Sequence, residues 1–292
     1  MTVMLKFPAI RCLAILACGC PSILAQSTIS PADRYAYSAN AGWVDFRPSA
    51  TDGVRVTETY LSGKAYAANF GWIDLGDGSP DNGYAYSNSS ATDCGVNLAA
   101  DGSLTGYAYA ANVGWINFEQ DHGKPRLSFL TGKFSGLIYS ANLGWISLDT
   151  SFTDLLASSI AYPDTDNDGI ADAWEKKYFG NLGTATNITD FDHDGQSDVA
   201  EYEADTVPNN PASRFRIISQ SYNDDYTKNE LVFSTSPSRL YRIEHDTDLS
   251  GPWPDSEYGT FAPDAGSSTS RTLYFPAGVA RFFRAVAVRP LQ

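Results

Sequence analysis

The chain has 292 residues, enough for two or three domains with a sizeable core. Charged residues make up 18% and aromatic residues 13%, with 24 glycines and only 2 methionines, which favours β-rich, turn-rich structure over a helical bundle. The formal net charge of −14 excludes the basic surface that binding to nucleic acid or to anionic membranes requires. We therefore predict a mainly β protein with no nucleic-acid partner.

The first residues have the pattern of an export signal. Lys6 and Arg11 come before or at the start of an apolar run that ends at Ala25, and the run is too short to span a membrane. The pattern predicts a signal peptide over residues 1–25, no transmembrane segment, and a secreted or cell-surface protein. A lipoprotein signal ahead of Cys18 is the alternative. Cys94 is the one cysteine after residue 25, which excludes an internal disulfide, and we expect it to be a small buried residue.

Four similar aromatic segments follow one another in the next part of the chain. They are residues 35–46 (YAYSANAGWVDF), 64–75 (KAYAANFGWIDL), 107–118 (YAYAANVGWINF) and 137–148 (LIYSANLGWISL). A longer middle gap holds residues 83–88 (GYAYSN), which look like a degenerate half-copy. Repeats at this spacing are typical of arrays of identical supersecondary units. We predict a β-repeat domain over residues 30–150, built as a closed barrel, a prism or a short solenoid, with the Asn-x-Gly steps as positive-φ turns.

Side chains alternate between the two faces of a strand, so the facing of each repeat can be derived. The core face is predicted to hold these residues of the last strand of each repeat: Val44, Phe46, Ile73, Leu75, Ile116, Phe118, Ile146 and Leu148. The opposite face holds the tryptophans, which are Trp43, Trp72, Trp115 and Trp145, next to Asp45, Asp74, Asn117 and Ser147. Either each tryptophan is buried against the neighbouring repeat, or the four form an aromatic platform that stacks on sugar rings.

These segments resemble the SAN-x-GW-I repeats seen in many exported bacterial proteins. The resemblance covers residues 30–150. It implies a surface or extracellular setting and no particular activity.

An acidic segment over residues 161–210 contains two EF-hand-like loops, residues 164–175 (DTDNDGIADAWE) and 190–201 (DFDHDGQSDVAE). Both have Asp at positions 1, 3, 5 and 9, Gly at position 6 and Glu at position 12, the oxygen-ligand pattern of a Ca²⁺ loop. The predicted ligands are Asp164, Asp166, Asp168, the carbonyl of Ile170, Asp172 and Glu175, and then Asp190, Asp192, Asp194, the carbonyl of Gln196, Asp198 and Glu201. We predict two bound Ca²⁺ ions, and no zinc because cysteine and histidine ligands are lacking.

A helix is predicted after each loop, over residues 171–179 and 197–204, and none before it. Such loop-plus-exit-helix units resemble dockerins and thrombospondin type 3 repeats, and residues 172–182 (DAWEKKYFGNL) look like spacer modules of large exported bacterial proteins. Dockerin loops often end with Asp where these end with Glu, so the resemblance does not extend to cohesin binding. We expect the segment to be a spacer between two β domains.

After a linker at residues 207–211, short aromatic-rich runs alternate with turns at about ten-residue spacing. This predicts an immunoglobulin- or fibronectin-like β-sandwich over residues 212–292. Residues 240–253 (LYRIEHDTDLSGPW) and 281–288 (RFFRAVAV) resemble C-terminal modules that follow such calcium loops in exported bacterial proteins. The resemblance implies an accessory, display or anchoring role.

No nucleophile elbow, phosphate-binding loop, dinucleotide motif or zinc-protease motif occurs in the sequence, so we predict no enzyme. The sequence favours a non-catalytic, calcium-binding exported or cell-surface protein whose repeats bind a glycan or another surface partner. A purely structural or display protein of the envelope is the alternative. A second alternative is a glycan hydrolase, since that activity needs only two carboxylates. The candidate catalytic carboxylates would be Asp45, Asp74 and Glu119. The oligomeric state is left open.

Overall fold

The structure is a computed structural model that describes residues 26–49, 51–276 and 281–292. The predicted signal peptide, residues 1–25, lies outside the described residues. Within them the chain is mainly β, with two short helices between an N-terminal and a C-terminal set of strands. Neither of these helices has the length and hydropathy needed to cross a membrane.

The N-terminal repeats form thirteen described strands. They are β1 (Ile29–Ser38), β2 (Gly42–Asp45), β3 (Val54–Val56), β4 (Tyr60–Ala67), β5 (Gly71–Asp74), β6 (Val96–Leu98), β7 (Leu104–Ala110), β8 (Gly114–Asn117), β9 (Arg126–Leu127), β10 (Phe134–Ser135), β11 (Leu137–Ser140), β12 (Gly144–Ser147) and β13 (Leu155–Ala157).

Eight of these strands close into a barrel. Each repeat supplies one antiparallel hairpin, namely β1–β2, β4–β5, β7–β8 and β11–β12. The hairpins lie side by side in chain order, and β12 pairs with β1. Of the three arrangements predicted for the repeats, the structure therefore shows the closed barrel.

The remaining N-terminal strands extend the barrel at one end. There β3 and β6 pair with the first half of β4, β6 also pairs with the first half of β7, and β13 pairs with the start of β1. Gly63 and Gly106 lie where the two long strands pass from this layer into the barrel, at φ of +84° and +90°. A Cβ at either position would collide with a carbonyl oxygen of an adjacent segment, so only glycine fits these bends.

The predicted core face is confirmed. All eight predicted core residues, from Val44 to Leu148, are at most 4% exposed and belong to one apolar cluster. On the preceding strands Ala36, Ala65 and Ala108 also point inward and are buried. Small side chains on one strand of a hairpin and large ones on the other fill the narrow interior of an eight-stranded barrel.

The four Asn-x-Gly turns lie together at the opposite end of the barrel. The glycines have positive φ, between +75° and +92°, which confirms the predicted positive-φ turns, whereas the asparagines do not. Each asparagine side chain instead donates a hydrogen bond of 2.8–2.9 Å to the turn of the preceding repeat. The four bonds are Asn40 to Leu143, Asn69 to Ala41, Asn112 to Phe70 and Asn142 to Val113, each ending on a backbone carbonyl. They form a closed ring around the barrel end.

The middle gap between the second and third repeats is an irregular loop and not a fifth hairpin. Over residues 76–95 the chain makes only an isolated bridge. Tyr86 anchors the loop, because it is 4% exposed, packs edge-on against Tyr60 and accepts a 2.7 Å hydrogen bond from the Gly78 N–H. The loop is thus fixed beside the barrel wall.

The acidic segment contains helices α1 (Asp172–Phe179) and α2 (Asp198–Ala204), one after each loop, which confirms both predicted helices. Gly180 ends α1 with a left-handed φ of +73°. The segment has a small apolar cluster of its own, centred on Ile170, Trp174 and Tyr202.

The C-terminal strands are β14 (Ile217–Tyr222), β15 (Lys228–Ser234), β16 (Leu240–Asp246), β17 (Ser268–Tyr274) and β18 (Phe282–Val288). They form a three-stranded sheet, β14-β15-β17, and a two-stranded sheet, β16-β18, that share one apolar cluster. Residues 259–262 add only a single bridge, between Tyr241 and Phe261. The described part thus has fewer strands than the seven of an immunoglobulin domain.

The acidic segment contacts the strands on both sides of it. Arg239 of β16's N-terminal flank is 1% exposed, and its Nη1 lies 3.0 Å from Oε1 of Glu58 on the barrel. The same guanidinium donates to the backbone carbonyls of Tyr202 and Glu203 in α2, at 2.6 and 2.9 Å. Glu58 of the N-terminal part, α2 and the C-terminal strands therefore meet at one buried arginine.

Candidate functional site

The outer face of the barrel carries four tyrosine–tryptophan pairs. Each pair faces across one hairpin, and the pairs are Tyr37–Trp43, Tyr66–Trp72, Tyr109–Trp115 and Tyr139–Trp145. Their ring centroids are 4.9–5.0 Å apart; three pairs have the edge-to-face geometry that aromatic quadrupoles prefer, and Tyr139–Trp145 is tilted at 59°. We call these eight residues the aromatic belt.

The tryptophans of the belt are exposed. Their exposed fractions run from 42% for Trp145 to 49% for Trp115. The interpretation that each tryptophan is buried against the neighbouring repeat is therefore wrong. In a closed barrel the repeats lie side by side, so no repeat covers the outer face of another.

The polar residues that follow the tryptophans lie between successive pairs. Asp45 is opposite Tyr66, Asp74 is opposite Tyr109, Asn117 is opposite Tyr139 and Ser147 is opposite Tyr37, each pair joining two adjacent repeats. Around the barrel the belt thus alternates aromatic faces with hydrogen-bonding groups. The alternation in the sequence placed these tyrosines on one face but did not mark them as binding residues; their cross-strand position opposite each tryptophan was the available signal.

One position of the belt is a groove. Between the second and third repeats, Tyr107, Tyr109 and Trp115 on the barrel and Asp77 and Thr92 on the irregular loop line a cavity of about 610 Å³, with Asp74 at its barrel side. This volume is within the range of about 300–1,000 Å³ that is typical of ligand pockets. The groove exists here because only this gap between repeats contains the long loop.

Cys94 also lines the groove, which corrects the prediction that it is buried. Its side chain is half-buried, and its Sγ lies 3.3 Å from Oδ1 of Asn88. Burial, followed by the nearby charge of Asp93, raises the pKa of the thiol. Cys94 is therefore an accessible but weakly ionised thiol.

The first acidic loop brings three of its six predicted ligands together. One carboxylate oxygen from each of Asp164, Asp166 and Asp168 lies within 4.8 Å of the others. Asp164 accepts hydrogen bonds from the N–H groups of Asn167 and Gly169, at 2.7 and 3.0 Å. Gly169 has a φ of +96°, which allows the sharp turn at position 6.

The second acidic loop repeats this geometry. One carboxylate oxygen from each of Asp190, Asp192 and Asp194 lies within 4.8 Å of the others. Asp190 accepts a 2.9 Å hydrogen bond from the N–H of Gly195, whose φ is +95°. His193 is exposed and has the same φ of +60° as Asn167 in the first loop. The two loops therefore share one backbone shape.

The twelfth residue of each loop is a buried glutamate. Glu175 and Glu201 are both 0% exposed. Neither oxygen of Glu175 has a hydrogen-bond partner among the described residues, and Glu201 has one, the Thr206 hydroxyl at 3.0 Å. Burial and the neighbouring aspartates raise the pKa of Glu175 to about 8, and burial, with a smaller effect of the neighbouring aspartates, raises that of Glu201 to about 7. Buried carboxylates beside like charges need a cation to be stable when ionised, so the residues present fit Ca²⁺.

The ninth residue of each loop ties the loop to its helix. Asp172 accepts from the N–H of Thr165 at 2.7 Å, and Asp198 from the N–H of Phe191 at 3.0 Å. Their side chains are thus already engaged within the protein, which agrees with ligation through water at this position.

Position 7 differs between the loops. Ile170 is fully buried, whereas the side chain of Gln196 exchanges two hydrogen bonds with the backbone of Phe215, at 2.9 and 3.1 Å. Arg214 also approaches the second loop, with its Nε 2.8 Å from Oδ2 of Asp194. The second loop is therefore attached to the C-terminal strands and has a cation beside one predicted ligand.

The carboxylates considered for a hydrolase have local partners. Glu119 accepts from the backbone N–H groups of Asp121 and Gly123, at 2.9 and 3.2 Å, and so closes its own turn. Asp45 accepts from the N–H of Arg47 at 2.9 Å and lies 3.5 Å from the guanidinium of Arg34. Asp74 alone of the three lines the groove.

Comparison with known proteins adds no assignment. No protein-family model matches the chain, and neither a curated protein nor a solved structure matches it.

Proposed function

We propose that this chain is a non-catalytic, calcium-binding, exported or cell-surface protein whose barrel binds glycans through the aromatic belt. The observation that carries the proposal is the exposure of all four tyrosine–tryptophan pairs on one continuous outer surface. An exposed apolar surface of this kind marks an interaction site, because water solvates it poorly.

The chemistry of the belt suits sugar rings. Aromatic faces pack against the apolar C–H faces of a sugar, while hydroxyl groups need acceptors and donors close by. The alternation of aromatic residues with Asp45, Asp74, Asn117 and Ser147 supplies both around the barrel. The fourfold repetition also suits a polymer, since several weak contacts with one chain add to the avidity.

Calcium is proposed as the resident metal of both acidic loops. Three aspartates and a buried glutamate in each loop supply hard oxygen ligands, and Glu175 has both oxygens free of protein hydrogen bonds. A bound Ca²⁺ would supply the positive charge that these groups lack. The ion in the second loop would thereby fix α2, whose carbonyls contact Arg239, and help to hold the C-terminal strands in place.

The C-terminal strands are proposed to form a small sandwich-like accessory or anchoring module. Their two sheets share an apolar cluster that includes Leu231, Phe233 and Tyr241.

Binding of the protein to a glycan array and to purified cell-wall polysaccharides tests the belt. We expect binding that falls when Trp43, Trp72, Trp115 or Trp145 is changed to Ala. Phe152→Ala is the matched control, since Phe152 is 89% exposed and lies outside the belt. If no glycan binds, the proposal fails and the structural or display role replaces it.

Calorimetric titration with Ca²⁺ tests the loops. We expect two ions per chain, and one fewer in each of Glu175→Gln and Glu201→Gln, since each change removes charge from the closing ligand. Unchanged stoichiometry and affinity in both variants would refute the assignment of the ligands.

A further inference from the structure

The groove between the second and third repeats differs from the other three positions of the belt in shape and in charge. We infer that it is the main glycan subsite and that it selects oligosaccharides with free, protonated amino groups over neutral and acidic ones. This inference rests on the proposed glycan binding of the belt and adds the ligand class.

The groove has three uncovered aromatic rings. Trp115 lies 5.0 Å from Tyr109 and 6.1 Å from Tyr107 between centroids, and all three are 39–49% exposed. The position of Tyr107 is taken by Lys64 in the second repeat and Leu137 in the fourth.

The first repeat has a tyrosine at this position, but Arg34 covers it. The Arg34 guanidinium lies 5.1 Å from the centroid of the Tyr35 ring and donates a 2.9 Å hydrogen bond to its hydroxyl. The three rings of the first repeat have the same spacing, with Trp43 6.1 Å from Tyr35 and 4.9 Å from Tyr37 between centroids, but a cationic ligand would have to displace the arginine.

The irregular loop gives the groove its second wall, so that a ligand is enclosed and not merely laid on a surface. Tyr86 holds the loop to β6, because its backbone N–H donates to Oδ1 of Asn97 and its carbonyl accepts from Nδ2 of the same residue, each at 2.8 Å. Its buried ring also packs against Tyr60 of β4. Asp93 stiffens the loop itself, by accepting from the N–H groups of Ser87 and Asp81 at 2.9 and 3.2 Å. A wall fixed in this way needs little ordering when a ligand binds.

The charge of the groove selects the ligand class. Asp74 and Asp77 line it, and none of its lining residues is basic. Lys64 lies 3.8 Å from Asp74, but both side chains are about half exposed, so this ion pair is weak. Carboxylates and aromatic faces both attract a protonated amine, and the chain's net charge of −14 repels acidic sugars.

The test compares four oligosaccharides of equal length by calorimetry with the same protein: glucosamine, N-acetylglucosamine, glucose and glucuronic acid oligomers. We expect the amine-bearing oligomer to bind roughly fivefold or more tightly than the neutral ones, and the acidic one most weakly. The double variant Asp74→Asn, Asp77→Asn should abolish this preference. The fold should survive, because each asparagine keeps the oxygen that accepts the backbone N–H of Gly76 or Ser79.

Three further variants and one chemical label complete the test. Asp81→Asn removes a charge from the exposed part of the same loop but not from the groove, and the preference should persist. Trp115→Ala should weaken the binding of every oligomer more than Trp43→Ala does. Alkylation of Cys94, followed by mass spectrometry of its peptide, should slow when the amine-bearing oligomer is bound, because the thiol lines the same groove.

The possible outcomes separate the two proposals. Equal affinity for amine-bearing and acetylated oligomers, or a preference that survives the double variant, would overturn the selectivity and leave glycan binding by the belt in place. Unchanged alkylation of Cys94 with saturating oligomer would place the binding elsewhere on the belt. If none of the four oligomers nor any arrayed glycan binds, the proposed function itself fails.

Discussion

Adjacent residues on a barrel strand have opposite environments. Ile116 is 0% exposed inside the barrel, while Asn117 next to it lies on the outer face, with no side-chain hydrogen bond among the described residues. This alternation was predictable from the sequence because a strand has a period of two, and a shift by one residue would place every large apolar side chain in water.

Ile116→Ala should therefore lower the free energy of unfolding by roughly 2–5 kcal/mol, because it leaves a cavity in a packed core. Asn117→Ala should change it by no more than about 0.5 kcal/mol, as surface substitutions usually do. Urea unfolding of both variants measures the difference. A larger cost for Asn117→Ala would mean that the strand register is wrong.

The proposed metal ligands could be named one by one from the sequence, since each position of the loop pattern has a defined geometric role. The approach of Arg214 to Asp194 was not predictable, because it depends on how the C-terminal strands pack against the second loop. The half-buried position of Cys94 was not predictable either, because it depends on the course of an irregular loop whose sequence has no periodic pattern.

Arg214→Gln should strengthen Ca²⁺ binding at the second loop by about two- to fivefold, because it removes a positive charge 2.8 Å from a ligand oxygen. The first loop should be unaffected. Arg216→Gln is the matched control, since Arg216 is exposed and forms no ion pair among the described residues. Calorimetry on a Glu175→Gln background isolates the second loop, and equal or weaker binding after Arg214→Gln would contradict the expected repulsion.

At the scale of elements, the hairpins are well paired and the seams between them are short. Each hairpin has four registered residue pairs, whereas the seam between the second and third hairpins has one and the seam that closes the barrel has two. The ring of asparagine side chains crosses all four seams. We infer that this ring is the reason for the asparagine in every repeat.

The hairpins could be predicted from the sequence, because their strands and turns are close together in the chain. Closure could not, because it depends on the pairing of β1 with β12, whose partners Tyr37 and Ser147 are far apart in sequence. A barrel, a prism and a solenoid share the same hairpins and differ only in such seams.

Asn112→Ala should loosen the seam between β5 and β7 more than any other part of the barrel. It removes a partly buried hydrogen bond to Phe70 from the seam with a single registered pair, at a cost of about 1 kcal/mol. Hydrogen exchange of the backbone amides should therefore rise around Asp74 and Tyr109.

Asn40→Ala is the comparison, because its bond to Leu143 is solvent-exposed and its seam has two registered pairs. Asn40→Ala should raise hydrogen exchange at the seam between β1 and β12, and this increase should be smaller than the one that Asn112→Ala causes between β5 and β7. Uniform changes over the whole barrel in both variants would show that the ring does not act seam by seam.

At the scale of the whole molecule, the acidic segment joins the two β parts through buried charge. Arg239 contacts Glu58 of the barrel and two carbonyls of α2, while Asp205 at the end of α2 accepts from the hydroxyls of Ser236 and Ser238. Removing one partner of such a buried pair leaves an uncompensated charge. The order of the acidic segment and the attachment of the C-terminal strands should therefore depend on each other.

The stability of the metal-free protein should fall as pH rises, and Ca²⁺ should remove this dependence. Burial raises the pKa of Glu175 to about 8 and that of Glu201 to about 7, from an ordinary value near 4.5. The folded metal-free protein then holds more protons than the unfolded chain between these values, so the free energy of unfolding decreases with pH across that window. Below this pH window the protonated glutamates contribute their full stabilisation, and above about pH 8 that contribution is lost.

Bound Ca²⁺ favours the ionised form of the two glutamates, because metal ligands must be deprotonated, and its binding free energy adds to the free energy of folding. Thermal unfolding at about pH 5 and about pH 8, with metal-free and Ca²⁺-loaded protein, measures the effect. We expect a lower melting temperature at the higher pH only without Ca²⁺, and a smaller fall in melting temperature for Glu175→Gln, whose side chain cannot ionise at that position.

The loss of structure should be local at first, so limited proteolysis at the higher pH should cut the metal-free chain between Pro163 and Pro211 while the barrel stays intact. A metal-free protein that is equally stable at both pH values, with no new cleavage in the acidic segment, would show that the two buried glutamates do not couple metal binding to the packing of the three parts.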